Sequence, residues 1–380
     1  MIDFRNCCRL PPLTQAVLLL VSPVCFMGLF FSRDGNPSLP IVSFFQPKLA
    51  TEIFISPSGR VLNLTQSLPS HSAPCIDTKD NNTFSCFPSF SIADMPKGGS
   101  SALHWYLSQH PKLSFMRKEL CAVGTGNKAN SYDTYFSMLP DSEKICKDCM
   151  VGETCIAMGK QLGTAIAYRA AVPTIKDVFL LLRNPIQHMY ASYWFWCTLE
   201  EKNMPLEMYK STSARWNPRK NVTYVDESGL EKWYDFPRSP SDFHQRVIRA
   251  LAKGCQNIAC SDFIFENHKL YISNLHAIYK KGLHLVPTES LYSDTEAVLN
   301  SIVSILGLPP HDFSELAKYS VNVNGNPGTN AVQEKTRGDY PPMLQATRDI
   351  TAKTVKEVAM YAESISGIDF LKIWSGSEFV

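Results

Sequence analysis

Along the chain the apolar residues change their period several times, and each change marks an element. Phe90-Ser91-Ile92-Ala93 alternates and predicts a short strand ending near Met95. Ala102, Leu103, Tyr106 and Leu107 then recur at helical spacing, and His110-Pro111 closes that helix. Lys112-Leu113-Ser114-Phe115-Met116 reads as a second short strand, ending in Arg117-Lys118-Glu119. Val178 to Leu182 is continuously apolar, as in a parallel strand buried on both faces, and Pro185 suits the first turn of a following helix. Ser241-Asp242-Phe243 opens another helix, and His284-Leu285-Val286 reads as a strand. Ser293-Asp294-Thr295-Glu296 predicts a capping box for a helix of Val298, Ile302, Ile305 and Leu306 that Gly307 closes. Pro341-Pro342-Met343-Leu344 leads into a C-terminal helix.

A different pattern governs the N-terminus. Leu10 to Ser32 carries no charge, long enough to span a bilayer as a helix despite Pro23. Arg5 and Arg9 outweigh Asp3 on the short side, whereas Arg33 and Asp34 cancel on the other. The positive-inside bias then predicts a cytosolic tail (1–9), a transmembrane signal anchor (10–32) and a luminal remainder. A cleaved signal peptide is the alternative, but Leu29-Phe30-Phe31 is bulky where a cleavage site needs small residues. From 33 to 89 the chain is rich in Pro, Ser and Asn, with short apolar runs such as Ile53-Phe54-Ile55, and reads as a stem. The main domain then spans 90–380, with a polar, proline-dotted insertion near 200–240.

Composition adds limits. An apolar share of 44% and a charged share of 19% describe a globular protein, and 380 residues suffice for an ample core. A net charge of +2 says nothing about nucleic acid, but the absence of a basic run, zinc-ligand pattern or RNA-binding signature points away from it as a partner. The chain has 12 cysteines, nine of them beyond the apolar run, so an oxidising lumen would hold disulfides with at least one cysteine left over. Cys146-x-x-Cys149 invites a zinc or redox reading, yet no second ligand pair of matching spacing exists, which favours a disulfide or plain loop cysteines. Sequons at Asn63, Asn81 and Asn221 suit a secretory location.

The candidate chemistry sits between the first strand and its helix. Asp94-Met95-Pro96-Lys97-Gly98-Gly99-Ser100-Ser101 places a lysine, paired glycines and two hydroxyls at a helix N-terminus. Glycines let backbone wrap a ligand, and the first-turn amides with the helix dipole favour an anion. The order is not that of the nucleotide-triphosphatase loop, whose lysine ends the motif rather than opening it. A second anion site is Arg183 in Leu182-Arg183-Asn184-Pro185, at the carboxyl end of the apolar strand, where open α/β sheets bind ligands and a guanidinium grips phosphate bidentately. The aromatic cluster at Tyr190, Tyr193, Trp194, Phe195 and Trp196 reads as core. No cluster of ligands calls for a metal.

Pro96-Lys97-Gly98-Gly99-Ser100-Ser101-Ala102-Leu103 resembles the 5′-phosphosulfate loop of the membrane-bound, Golgi-type carbohydrate sulfotransferases, which use 3′-phosphoadenosine 5′-phosphosulfate. Arg183-Asn184-Pro185 is similar to their 3′-phosphate motif, whose helical serine falls at Ala191 here, leaving Ser192 the nearest serine. The resemblance implies an α/β fold with a central, mostly parallel sheet flanked by helices. It implies Lys97, Gly98, Gly99, Ser100, Ser101, Arg183 and Ser192 as donor-binding residues and Glu119 as the catalytic base, with Lys97 stabilising charge on the leaving phosphate oxygen. Lys335-Thr336-Arg337-Gly338 resembles the basic loop that closes over the nucleotide, with Lys335, Arg337 and Gly338 as contacts; a surface basic turn is the alternative. Tyr132 to Phe136, the loop expected to open at Val151-Gly152-Glu153-Thr154, and Glu289-Ser290-Leu291-Tyr292 also look like family segments. The expected activity is sulfuryl transfer to a glycan hydroxyl at the Golgi membrane. The alternatives are a P-loop kinase or nucleotide hydrolase, or a non-catalytic glycan-binding glycoprotein. His104 and His110 are competitors for the base role that packing or capping would explain more simply.

Overall fold

A computed structural model describes residues 53–55, 61–63, 75–77, 84–95, 97–116, 118, 135, 139, 145–146, 148–156, 158–201, 239–253, 266–321, 332–334 and 341–376. The expected transmembrane run, the insertion at 202–238, Glu119, and the loop of Lys335, Arg337 and Gly338 lie outside them. Among the described residues no helix is long and apolar enough to cross a membrane.

The architecture is α/β. Five strands form the central sheet: β5 (Phe90–Ala93), β6 (Leu113–Phe115), β7 (Met150–Cys155), β8 (Asp177–Leu182) and β9 (Leu283–Pro287). Their order is β6-β7-β5-β8-β9, and every pairing is parallel. Parallel strands need crossovers, and the helices that make them cover both faces, so most residues of these strands are buried. Alternate residues serve opposite cores. Phe90, Ile92, Phe179, Leu181 and Val286 pack with α1 (Ser100–Leu107) and with the helix around Leu299 and Ile302. Ala93, Val151, Cys155, Val178, Leu180, Leu182 and Leu285 face the other way. They meet α2 (Leu162–Ala171), α5 (Glu266–Tyr279), α8 (Gln345–Ser366) and α9 (Phe370–Gly376). A third cluster joins α3 (Pro185–Glu201) to α4 (Pro240–Lys253) through Tyr190, Tyr193, Phe243 and Val247, so the expected aromatic core is observed at Tyr190, Tyr193 and Trp194.

Three short antiparallel pairs lie outside the central sheet: β1 (Ile53–Ile55) with β2 (Val61–Asn63), β3 (Cys75–Asp77) with β4 (Phe84–Cys86), and β10 (Tyr319–Val321) with β11 (Val332–Glu334). The β3–β4 pair carries the disulfide Cys75–Cys86. Cys146 and Cys149 are joined to each other, which removes them as zinc ligands, and Cys155 is disulfide-bonded too.

Two local expectations need correcting. Val151-Gly152-Glu153-Thr154 opens no loop; it is the interior of β7, buried, with Val151 and Gly152 paired to β6 and Gly152 to Thr154 paired to β5. The capping box is shifted by one. Ser293 ends α6 (Thr288–Ser293), and Asp294 caps α7 (Thr295–Ile305) by accepting from the Ala297 amide at 3.3 Å. An ionised carboxylate is the better acceptor at a helix N-terminus, where the dipole also favours its charge.

Candidate active site

β5 is the strand from which the sheet grows in both directions, with β7 on one side and β8 on the other. In open α/β sheets ligands bind outside the carboxyl ends of the strands at such a switch point. The segment leaving β5 there is Asp94 to Gly99, running directly into α1. The Gly98 amide donates to Met95 O at 2.9 Å, closing a tight turn. Lys97 has φ 74° and Gly99 φ 119°. Left-handed backbone is unremarkable for glycine but costs a β-carbon-bearing residue about 1–2 kcal/mol, so the turn holds Lys97 in a strained conformation.

Both glycines are closely surrounded. A β-carbon on Gly98 would lie 1.8 Å from Asp94 Oδ1, and one on Gly99 would lie 3.1 Å from Thr288 Cγ2 and 3.3 Å from Leu181 Cδ2. Thr288 Oγ1 donates to Gly98 O at 2.6 Å, which ties the loop to the start of α6. Ala102 and Leu103 donate their amides to Gly99 O, beginning α1 at the glycine.

Gly99 has no side chain with which to cap α1, and Asp94 supplies the missing acceptor. Its Oδ2 accepts from the Ser100 amide at 2.9 Å. Asp94 is 1% exposed, and Oδ1 has no hydrogen-bond partner among the described residues. Burial, opposed by the Ser100 bonds and the Lys118 charge, pushes its carboxyl up to about 7. Tyr271 on α5 places its hydroxyl 2.7 Å from both Asp94 O and Ile156 O. Lys118, just beyond β6, donates to Ser101 Oγ in the first turn of α1.

The second cation comes from β8. Arg183 follows the last residue of that strand, and its Nη1 donates to Lys97 O at 3.4 Å, joining the two motifs. Asn184 caps α3, its Oδ1 accepting from the Ile186 amide at 3.1 Å, with Pro185 in the first turn as the sequence predicts. Behind it Glu289 accepts from the Asn184 amide at 2.8 Å and from Trp374 Nε1 at 3.1 Å. Burial raises the Glu289 carboxyl, and Arg183 opposes that shift. Ser192 is half-buried farther along α3.

The histidines have structural partners. His104 Nδ1 lies 2.8 Å from Thr154 Oγ1, and its ring packs 4.6 Å from that of Phe115. Burial, with Lys118 nearby, lowers it to about 4, so it is a neutral and weak base. His110 accepts from the Lys112 amide through Nδ1 and meets Pro309 O through Nε2, both at 3.0 Å. The carbonyl partner sets the proton on Nε2.

The structure thus gathers Lys97, Gly98, Gly99, Ser100, Ser101 and Arg183 around one loop. Sequence reasoning missed Asp94, Lys118, Thr288 and Glu289 as parts of it. Asp94 and Lys118 stand inside the loop stretch and the charged triplet, and Glu289 opens a segment that resembles the family; Thr288 had no signal, and it and Glu289 arrive from nearly two hundred residues away. Among the described residues no group of three His, Cys, Asp or Glu is placed to hold a metal ion.

Compared with models of protein families, and with curated proteins, the sequence matches none. Among solved structures it is similar to a sulfotransferase from Alicyclobacillus acidocaldarius, with TM-score 0.47 and 15% identity over 76% of this chain and 99% of that one. A sulfotransferase from Mycobacterium avium aligns with TM-score 0.37 and 9% identity, over 71% of this chain and 76% of that one. A mouse sulfotransferase complexed with PAP aligns with TM-score 0.34 and 12% identity, over 63% and 72%.

Proposed function

We propose that the protein transfers a sulfuryl group from 3′-phosphoadenosine 5′-phosphosulfate to a hydroxyl of a glycan. One observation carries the reading. Two cationic residues, Lys97 and Arg183, follow the carboxyl ends of adjacent parallel strands, and Arg183 is hydrogen-bonded to the Lys97 carbonyl across a loop whose Gly98 and Gly99 are closely hemmed in. Such a loop can bring backbone against a phosphate, and a second cation one strand away suits a ligand with two separated phosphates. The donor supplies a sulfuryl group on a phosphate leaving group. Lys97 places its charge where the leaving oxygen becomes negative. Glu119 directly follows Lys118, whose ammonium reaches the first turn of α1, and in this reading it takes the acceptor's proton. Lys335, Arg337 and Gly338 close over the nucleotide.

Calorimetry tests the donor half. 3′-Phosphoadenosine 5′-phosphate should bind far more tightly than ATP, and equal or tighter ATP binding overturns the reading. Glu119→Gln should keep donor affinity while turnover, measured with labelled donor and a glycan panel, falls about 10²–10⁴-fold. Near wild-type turnover in a folded variant would put the base elsewhere.

The uncharged run 10–32 with its charge bias, together with the disulfides, supports a single-pass Golgi anchor with a luminal domain. A C-terminal tag should then survive protease treatment of intact microsomes; digestion without detergent sinks the topology.

A further inference from the structure

The anion cradle at the start of α1 already contains an anion-forming group. Asp94 Oδ2 accepts from Ser100, the first residue of the helix, and Oδ1 lies against Gly98 with no partner among the described residues. The carboxylate reaches this amide from six residues back along the chain, an unusual distance for a cap, because the residue in the capping position is Gly99. A phosphate drawn to the same helix end would meet a second negative charge there, one buried enough that screening is weak.

We propose that Asp94 is a positioning residue that makes ligand binding proton-linked: the cradle accepts a phosphate group when Asp94 is protonated, and binding takes up one proton. This rests on the donor reading above. In the protonated form Oδ2 still accepts from Ser100 and the orphan Oδ1 carries the proton. The loop therefore keeps its shape while it loses one negative charge. A proton that leaves at near-neutral pH makes the coupling observable.

The groups around Asp94 come from several elements. Lys118, beyond β6, favours the charged form. Tyr271 on α5 and Tyr292 beyond β9, on α6, have their hydroxyls raised partly by its charge. On α1, His104 is neutral and its partner is Thr154. Lys97 within the loop and Arg183 beyond β8 supply the positive charge a phosphate would meet. Glu289 is a buried acid beside Arg183, so it needs a control.

The test titrates 3′-phosphoadenosine 5′-phosphate into the full chain and its Asp94→Asn variant from pH 6 to 9. The ligand's phosphates are fully ionised by pH 8, since their second ionisation lies near 6. In the wild type the affinity should fall about tenfold per pH unit above neutrality, as one-proton linkage requires. Asp94→Asn should flatten that slope, and Glu289→Gln should leave it in place. Heats in two buffers of different ionisation enthalpy should report uptake of about one proton by the wild type at pH 8. A purely structural cap would lower stability in Asp94→Asn without changing the slope. Parallel profiles with no proton uptake overturn the inference and leave the donor reading standing. Absence of binding at every pH by folded protein overturns both. If Asp94→Asn fails to fold, the wild-type proton count decides alone: none taken up overturns the proposal.

Discussion

At the scale of single residues the site is decided by what cannot be there. Gly98 is confined by the Asp94 carboxylate, and Gly99 by Thr288 and Leu181. Gly98→Ala forces Asp94 off Ser100, and overpacking of this kind costs about 1–3 kcal/mol. The variant should melt lower and lose nucleotide affinity. Gly163 on α2 is the matched control, since a β-carbon there meets nothing within 4 Å and alanine in a helix is stabilising. Scanning calorimetry of the two variants checks this; a Gly98→Ala protein as stable and as competent as the wild type would contradict the loop geometry. Lys97 shows the converse: its strained φ persists because the bond from Arg183 and the Met95 turn hold its peptide on both sides.

At the scale of elements, the site depends on strands that are adjacent in the sheet and distant in the chain. β5 and β8 run side by side with Ala93 opposite Leu180, so the loops that leave them emerge together. α1 is then pinned at both ends. The glycine loop and Asp94 hold its start, and His110, beyond its last turn, reaches Pro309. Midway, His104 meets Thr154 of β7, which is why the strand expected to be a loop matters to the site. α6 contributes two consecutive residues with different tasks. Thr288 holds the glycine loop, and Glu289 holds the segment after Arg183.

At the scale of the molecule, burial of acids sets how stability responds to pH. Glu153, on β7, is 3% exposed; Tyr135 donates to its Oε2 at 2.8 Å, and the hydroxyls of Tyr168 and Ser91 face it. Burial pushes its carboxyl up to about 7, as it does for Asp94. The native state therefore keeps a proton that the unfolded chain releases above its ordinary carboxylate range. Stability from this source is complete below the unfolded value of 4.5 and is lost as pH rises towards about 7. At about 1.4 kcal/mol per unit, Glu153 alone is worth on the order of 3 kcal/mol across that window. Melting temperatures should fall from pH 4.5 to 7.5, and Glu153→Gln should flatten the curve and raise the melting point at pH 8. An unchanged slope would show that Glu153 titrates normally.

The sequence by itself determined the elements whose physics is local. The apolar run at 178–182, the helical period after Ser101, the glycines and the Pro185 turn are all set by neighbours within a few residues, and the structure places each as expected. It also located both cationic residues. Only the tertiary structure decided what the local signals mean together. Parallel pairing brings β5 between β7 and β8, and that adjacency turns two separate motifs into one site. The same packing made Val151 to Thr154 an interior strand, because a window of four residues cannot reveal neighbours on both edges. It moved the α7 cap to Asp294, since Ser293 was already spent on the preceding helix. And it put a buried carboxylate beneath the glycine loop: a charge beside glycines reads in sequence as solvated, and only the burial of its surroundings withdraws it from water.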